Sequence, residues 1–124
     1  MGATEITLRV YEIIGSEFCV APDDGEKVFH EIEAALREKR PVSLSFQNVK
    51  TLTSAFLNAA VGQLYGNFSE DEIKGLLRVS DMADEDAALL KRVVDNAKLY
   101  FRDQPKFKKA VREALGEDED DDSN

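Results

Sequence analysis

The pattern of apolar and polar residues predicts three short strands in the first half of the chain. Apolar and polar residues alternate over residues 6–11, in a strand that continues toward Ile14, and over residues 42–46, and the short apolar segment at residues 18–20 is expected to form another strand. Gly15 and Ser16 separate the first two segments and allow a tight turn. We therefore expect these two strands to pair as a hairpin.

Apolar residues at helical spacing predict helices before and after the third strand. The first helix starts near Asp23 and Glu26, which have the spacing of a capping box. Ser69 and the acidic residues after it are expected to cap a single helical turn. A long helix begins at Asp84, and Pro105 is expected to end it and to start a final helix.

The central segment, residues 41–66, joins the third strand to another helix through a short polar loop. Thr53 or Ser54 is expected to cap this helix, and Gly66 is expected to close it. The helix has little polar surface, so we expect it to be the most buried helix of the fold. Gly62 in its interior costs about 1 kcal/mol relative to alanine, which predicts a close approach to the strands there.

Length, composition and charge indicate one globular domain with an acidic end. The chain has 124 residues, 43% of them hydrophobic, which is ordinary for a globular protein. The net charge is −9, and an unbroken acidic run at residues 117–122 contributes six of the negative charges. We predict a domain over residues 1–116 and a disordered acidic tail over residues 117–124. The tail is either a solubilising end or a decoy for a basic partner.

The same composition argues against two classes of function. No apolar run reaches the ~20 residues that a membrane span needs, and the first residues do not resemble a signal segment. The domain body has no basic stripe that would favour nucleic acid. The single cysteine, Cys19, agrees with a reducing compartment. We therefore expect a cytoplasmic protein that contacts neither membrane nor nucleic acid.

The sequence shows no arrangement of residues for catalysis or cofactor binding. His30 is the only histidine, which excludes metal sites built on several histidines, and Cys19 has no base near it in sequence. The acidic clusters open predicted helices, where the helix dipole explains them without a metal ion. No glycine-rich phosphate loop is present. We expect a non-enzymatic protein without a metal or a cofactor.

A cluster of hydroxyl residues precedes the central helix. Thr51, Thr53 and Ser54 lie where the edge of the sheet meets the positive end of a helix dipole. Serine and threonine are preferred N-caps, so capping alone would explain the cluster. The position also suits an anion, including a phosphate attached to the protein itself. The residues alone leave both interpretations open.

The residues around this cluster resemble a bacterial STAS-like family of uncharacterised function, which is related to the anti-sigma-factor antagonists. In that family an apolar strand ends near Asp-Phe, a valine follows three residues later, and Thr-Ser-Ser-Phe comes next. The corresponding residues of this chain are Ser45-Phe46, Val49 and Thr53-Ser54-Ala55-Phe56. The looser resemblance extends from about residue 6 to residue 98.

Two positions depart from the family pattern. Ser45 stands where the family usually has aspartate, and Ala55 stands where the anti-sigma-factor antagonists have their phosphorylated serine. Ser54 is the adjacent hydroxyl and is therefore the candidate phosphorylation site. A Ser54 that capped the helix would already have its hydroxyl engaged with a backbone amide.

The resemblance implies a fold class as well as a motif. It implies an α/β fold with a STAS-like, mixed four-stranded sheet, helices packed on this sheet, and additional C-terminal helices. It also places the fourth strand near residues 76–79, where the residue pattern alone is ambiguous.

The resemblance further implies a regulatory domain that docks a protein partner through the loop and helix start around residues 50–56. The partner-binding positions would be Thr51, Thr53, Ser54 and Ala55, and a histidine-kinase-like ATPase would be the kind of partner. Two alternatives remain. One is a module that senses a small ligand at the N-terminus of the central helix. The other is a structural subunit that forms a homodimer through its last two helices.

Overall fold

The computed structural model describes the backbone of residues 4–115 and the side chains of residues 4–102. The predicted acidic tail, residues 117–124, lies outside the described residues. The strands are β1 (Ile6–Arg9), β2 (Phe18–Cys19), β3 (Val42–Ser45), β4 (Thr51–Leu52) and β5 (Leu77–Ser80). The helices are α1 (Val10–Ile14), α2 (Pro22–Arg37), α3 (Ser54–Ala60), α4 (Glu70–Leu76) and α5 (Asp84–Leu115), with a 3₁₀ segment at Gly62–Gly66.

The strands form two small parallel sheets. One sheet has the order β1-β3-β5, and the other pairs β2 with β4. The prediction of one mixed, four-stranded sheet is therefore wrong, although β3 lies where the residue pattern placed a strand and β5 lies where the family resemblance placed one. The central strand β3 buries Val42 and Leu44 completely on the side that faces the core.

Helix α1 replaces the second half of the predicted first strand. Ile13 and Ile14 follow Val10 by three and four residues, so a helix brings all three to one face, whereas a strand would place Ile13 opposite the other two. Val10 is fully buried, and the two isoleucines pack partly against the core. Gly15 then ends the helix with φ at 77°, a conformation that glycine adopts without strain. The predicted hairpin does not form, and β2 pairs with β4 instead.

The two predicted helix starts, a capping box at Asp23 and Glu26 and a single capped turn at Ser69, have different outcomes, and the helix capped by Ser69 has seven residues instead of a single turn. The residue before α2 makes no side-chain hydrogen bond, so the box at Asp23 and Glu26 is wrong; Pro22 occupies the first helical turn, where its fixed φ favours a helix start. At α4 the prediction is confirmed, because the Glu72 amide donates to Ser69 Oγ at 3.1 Å and the Ser69 amide donates to Glu72 Oε1 at 3.0 Å. This reciprocal pair satisfies two amides at the helix start.

Helices α2 and α3 approach each other closely at Gly25. A methyl group at Gly25 would lie 2.5 Å from the Phe56 carbonyl oxygen and 2.9 Å from Ala59 Cβ. The expected close approach at Gly62 differs: that glycine opens the 3₁₀ segment, and a methyl there would meet side-chain atoms of Asn58 and Val93 instead of a strand. The tight helix crossing therefore depends on Gly25.

Helix α5 is one continuous element of 32 residues. The prediction that Pro105 ends one helix and starts another is wrong, because a proline can remove one backbone hydrogen bond while the helix continues on both sides. The Phe101 ring packs on the 3₁₀ segment, and a methyl group at Gly66 would lie 2.6 Å from it. Within the described residues, no helix combines the length and the apolar character of a membrane span.

Candidate functional site

The segment before α3 is held by backbone hydrogen bonds to β2. The amides of Lys50 and Thr51 both donate to the Glu17 carbonyl, at 2.9 and 3.2 Å, and the Thr53 amide donates to the Cys19 carbonyl at 3.2 Å. Residues that the sequence assigned to a polar loop therefore form β4. The hydroxyl cluster lies on an ordered ribbon whose position the backbone fixes.

Thr53 is the N-cap of α3. Its Oγ1 accepts a hydrogen bond from the Phe56 amide at 3.1 Å and donates one to the Val20 carbonyl at 2.8 Å. This hydroxyl satisfies one free amide of the helix start and also ties α3 to the end of β2. Capping explains Thr53, and the choice between Thr53 and Ser54 as N-cap is resolved.

Ser54, in contrast, is the first residue of α3 and is exposed. Its hydroxyl makes no hydrogen bond within residues 4–102, and the same holds for the exposed hydroxyl of Thr51. Ala55 is exposed as well. Three of the four predicted site residues therefore present their side chains to solvent within a few residues of each other.

Phe56 lies beneath this surface. Its side chain is fully buried in the core cluster, whereas Ser54 and Ala55 on the same helix face solvent. A large buried ring at the first turn fixes the position of the helix start against the core.

Two exposed apolar residues extend the surface, and the sequence did not predict them as part of the site. Phe18 is 56% exposed and pairs in register with Thr51, and Val20, the residue bonded to Thr53, is 44% exposed. The sequence signal for their exposure was the order Phe-Cys-Val. If the Cys19 side chain faces the core, the alternation of a strand turns the side chains of Phe18 and Val20 toward solvent. Recognising their proximity to Thr51 also required knowing that β2 pairs with β4.

The buried serine at the end of β3 connects the sheet to the next strand. Ser45 Oγ donates to Asp81 Oδ2 at 2.6 Å and accepts from the Gln47 amide at 3.2 Å. Ser80 Oγ donates to the same carboxylate oxygen at 3.3 Å. A carboxylate therefore lies beside position 45, although it comes from residue 81. Through these hydrogen bonds, the Asp81 carboxylate connects the end of β3 to the end of β5.

The two residues considered for catalysis have ordinary structural environments. Cys19 is fully buried, and burial, helped by the negative charge of Asp24, raises the pKa of its thiol to about 11. The thiol is therefore protonated near neutral pH and is a poor nucleophile. His30 is largely exposed, with Nδ1 4.0 Å from a Glu33 oxygen. Within the described residues, no three His, Cys, Asp or Glu side chains are grouped as metal ligands.

Two cavities lie away from the hydroxyl cluster. One, of about 430 Å³, lies between α3, the 3₁₀ segment and α5 and is lined by Asn58, Gln63, Asn96, Ala97, Tyr100 and Phe101. The other, of about 470 Å³, lies between α4, β5 and α5 and has an apolar floor that includes Leu77, Val79 and Leu90. Neither cavity is lined by residues 51–55.

Comparison with known proteins assigns the family. The profile of a family described as a STAS-like domain of unknown function (DUF4325) matches residues 24–87, just over half of the chain. No curated protein and no solved structure gave a significant match. The matched residues include β3, β4, α3 and β5, and with them the hydroxyl cluster at positions 51–54. The chain therefore belongs to the STAS-like domain family that its motif resembled.

Proposed function

We propose that this domain is a non-enzymatic regulatory module that docks a protein partner through β4 and the start of α3, around residues 50–56. The supporting observation is the surface formed by Thr51, Ser54 and Ala55 together with the exposed side chains of Phe18 and Val20. We call these five residues the docking surface. It combines apolar area with small residues and free hydroxyls, which suits close contact with a protein.

The ordered backbone of the docking surface supports the same proposal. β4 is hydrogen-bonded to β2, Thr53 fixes the start of α3, and Phe56 anchors it from below. A surface that is already ordered loses little conformational entropy when a partner binds. The partner class comes from the family resemblance, which indicates a histidine-kinase-like ATP-binding protein.

The alternative of a small ligand at the start of α3 has no specific observation in its favour. The two cavities described above are not lined by residues 51–55. Partner docking therefore remains the function that the exposed residues support best.

Replacing Ala55 by arginine is expected to weaken partner binding by at least about tenfold without unfolding the domain. Ala55 is exposed on α3, so a long charged side chain would fit the free domain but would obstruct a close contact. Ala34→Arg on the exposed side of α2 is the matched control, because it adds the same side chain to another exposed helical alanine. Binding to histidine-kinase-like ATPases of the same organism is measured by biolayer interferometry, with thermal unfolding in parallel.

Equal affinities for the Ala55→Arg and Ala34→Arg variants would reject the docking surface. Failure of the wild-type domain to bind any such ATPase would reject the partner class. A change in melting temperature confined to Ala55→Arg would show that the substitution acts on the fold instead of on docking.

Phosphorylation of Ser54 is expected to release the partner while the domain stays folded. The objection that a capping Ser54 would be engaged does not apply, because Thr53 is the cap and the Ser54 hydroxyl is exposed. A phosphate there adds almost two negative charges close to the helix start, which the free fold tolerates and an acidic or apolar partner surface does not. Intact-mass analysis after incubation with the partner ATPase and ATP checks this, with Ser54→Ala as the control. An unchanged mass would show that Ser54 is not phosphorylated, and the domain would then be a constitutive binder of its partner.

A further inference from the structure

The three-stranded sheet has one face that is polar and open to solvent. Strand residues alternate in direction, so those that do not face the core share the opposite side. They form two rows across the sheet, Thr7–Ser43–Arg78 and Arg9–Ser45–Ser80. Ser45 is buried and Ser43 is partly buried, and the other four side chains are exposed. We call these two rows the arginine face.

The arginines of this face have no partner among the residues that the structure describes. Neither Arg9 nor Arg78 makes an ion pair, a side-chain hydrogen bond or an aromatic contact within residues 4–102. They lie on the two outer strands with small hydroxyl side chains between them. Neighbouring strands are about 4.8 Å apart and residues rise about 3.3 Å along a strand, so the two arginine Cα atoms are separated by roughly 12 Å.

The arginine face carries positive charge within its two rows and negative charge at its two ends. Its two rows contain both arginines and no carboxylate. Glu5 lies before β1, at one end of the face, and Asp81 lies after β5, at the other. The Asp81 carboxylate already accepts hydrogen bonds from Ser45 and Ser80. The Ser45 and Ser80 hydroxyls are therefore occupied, and the donors that the face offers are the two guanidinium groups and the hydroxyls of Thr7 and Ser43, which favours an acidic occupant.

A parallel sheet with one open face is itself unusual. Such sheets are ordinarily covered on both sides, because their crossover connections place helices there. Here the hydrophobic side carries the core, and the arginine face is left for something outside the described residues to cover.

We propose that the arginine face binds the acidic segment, residues 117–122, of a second copy of this chain. Charge complementarity supports this occupant, because six consecutive carboxylates would meet a surface whose two arginines have no partner within residues 4–102. In an extended segment, residues three or four apart are separated by roughly 10–13 Å, close to the spacing of the arginines. A continuous acidic run offers such a pair in several registers.

The length of α5 favours a second copy over the same chain. A straight helix of 32 residues is about 48 Å long. α5 begins four residues after Ser80, so Leu115 lies at least about 26 Å from Arg78 even when the linking residues are fully extended. From Leu115, a fully extended chain reaches about 7 Å at residue 117 and about 25 Å at residue 122. Even at this lower bound, the Cα atoms of residues 117–122 do not reach the Cα atom of Arg78 in their own chain.

Two copies of the chain can each bind the acidic segment of the other. In a two-fold arrangement each acidic segment binds the arginine face of its partner, so every contact occurs twice. Once one segment is bound, the second binds within the complex at a raised effective concentration. Exposed charge pairs are individually weak and are screened by salt, so the dimer is weak and dissociates as ionic strength rises.

The test detects contact between the acidic segment of one copy and the arginine face of another. A nitroxide label is attached to a Ser123→Cys variant; Cys19 is fully buried and resists the reagent, which intact-mass analysis of treated wild-type protein verifies. This protein is mixed with isotope-labelled wild-type protein that carries no nitroxide. The amide signals of Thr7, Ser43 and Arg78 are expected to lose intensity at low salt and to recover at about 0.5 M salt. Broadening that is absent, or that falls on the docking surface, overturns the proposal.

Two charge-matched variants test the role of the arginines. The double substitution Arg9→Gln, Arg78→Gln is expected to raise the dimer dissociation constant about tenfold in analytical ultracentrifugation. Lys74→Gln, Arg92→Gln removes the same charge from exposed sites away from the arginine face and is expected to leave the dissociation constant within about twofold. Equal effects of the two variants would show that net charge alone governs association and would overturn the proposal.

Discussion

Replacing Phe56 by alanine is expected to lower the free energy of unfolding by about 3–5 kcal/mol. The ring is fully buried, its own amide donates to the capping hydroxyl of Thr53, and its carbonyl lies where α2 crosses at Gly25. The truncation leaves a cavity at the point where the helix start, the cap and the helix crossing meet. Urea unfolding followed by circular dichroism measures the change, with the slope against urea compared between variants.

Phe18→Ala is the matched control for that experiment. Phe18 is 56% exposed, so the same truncation is expected to change the free energy of unfolding by about 0.5 kcal/mol or less. The two variants should separate stability from docking, because Phe18 belongs to the docking surface and Phe56 supports it from below. Equal losses of stability would contradict the assignment of Phe56 as the anchor.

The elements that the sequence predicted correctly are those whose local pattern and buried face agree. α2 follows from apolar residues at helical spacing, and β3 follows from strict alternation; both bury these residues in the core. The start of α4 follows from Ser69 and Glu72, because the side chain of each accepts a hydrogen bond from the backbone amide of the other, without help from the rest of the fold. Local chemistry was sufficient in each case.

Two errors, the capping box at Asp23 and Glu26 and the helix break at Pro105, concern local pattern, and the others depend on distant contacts. Val10 and Ile14 fit a continuation of the strand, but Ile13 shares a face with them only in a helix, which the structure forms. β4 has two residues, too few for any period to show, and it exists because β2 lies beside it. Sheet order also depends on residues far apart in sequence, so the pattern of each strand alone could not reveal two parallel sheets.

The candidate site likewise combines features that the local sequence predicts with features that depend on distant contacts. The start of the central helix was predictable, because hydroxyl residues before an apolar helical pattern mark an N-terminus. The separate roles of Thr53 and Ser54 were not, since both are good caps and only the backbone geometry selects Thr53. The contribution of Phe18 depends on strand pairing, which the local pattern does not contain.

Gly25→Ala is expected to destabilise the domain, whereas Gly75→Ala is expected to stabilise it. Both glycines lie inside helices, where alanine is intrinsically favoured by about 0.5–1 kcal/mol. A methyl group at Gly75 meets nothing within 4 Å, so that preference should appear almost unopposed. At Gly25 the methyl would lie 2.5 Å from the Phe56 carbonyl oxygen, and relieving this overlap requires α2 and α3 to move apart.

Overpacking of this kind typically costs about 1–3 kcal/mol, which exceeds the gain in helix preference, so Gly25→Ala should lose stability in urea unfolding. Gly75→Ala measures only the intrinsic helix preference of alanine over glycine. The difference between the two variants therefore gives the steric cost of the methyl group at Gly25. Stabilisation by both substitutions would show that α2 and α3 move apart at Gly25 at little cost in free energy. Because α3 carries Ser54 and Ala55, the displaced helix of Gly25→Ala should also reposition the docking surface. Partner binding should then fall more in this variant than in Gly75→Ala.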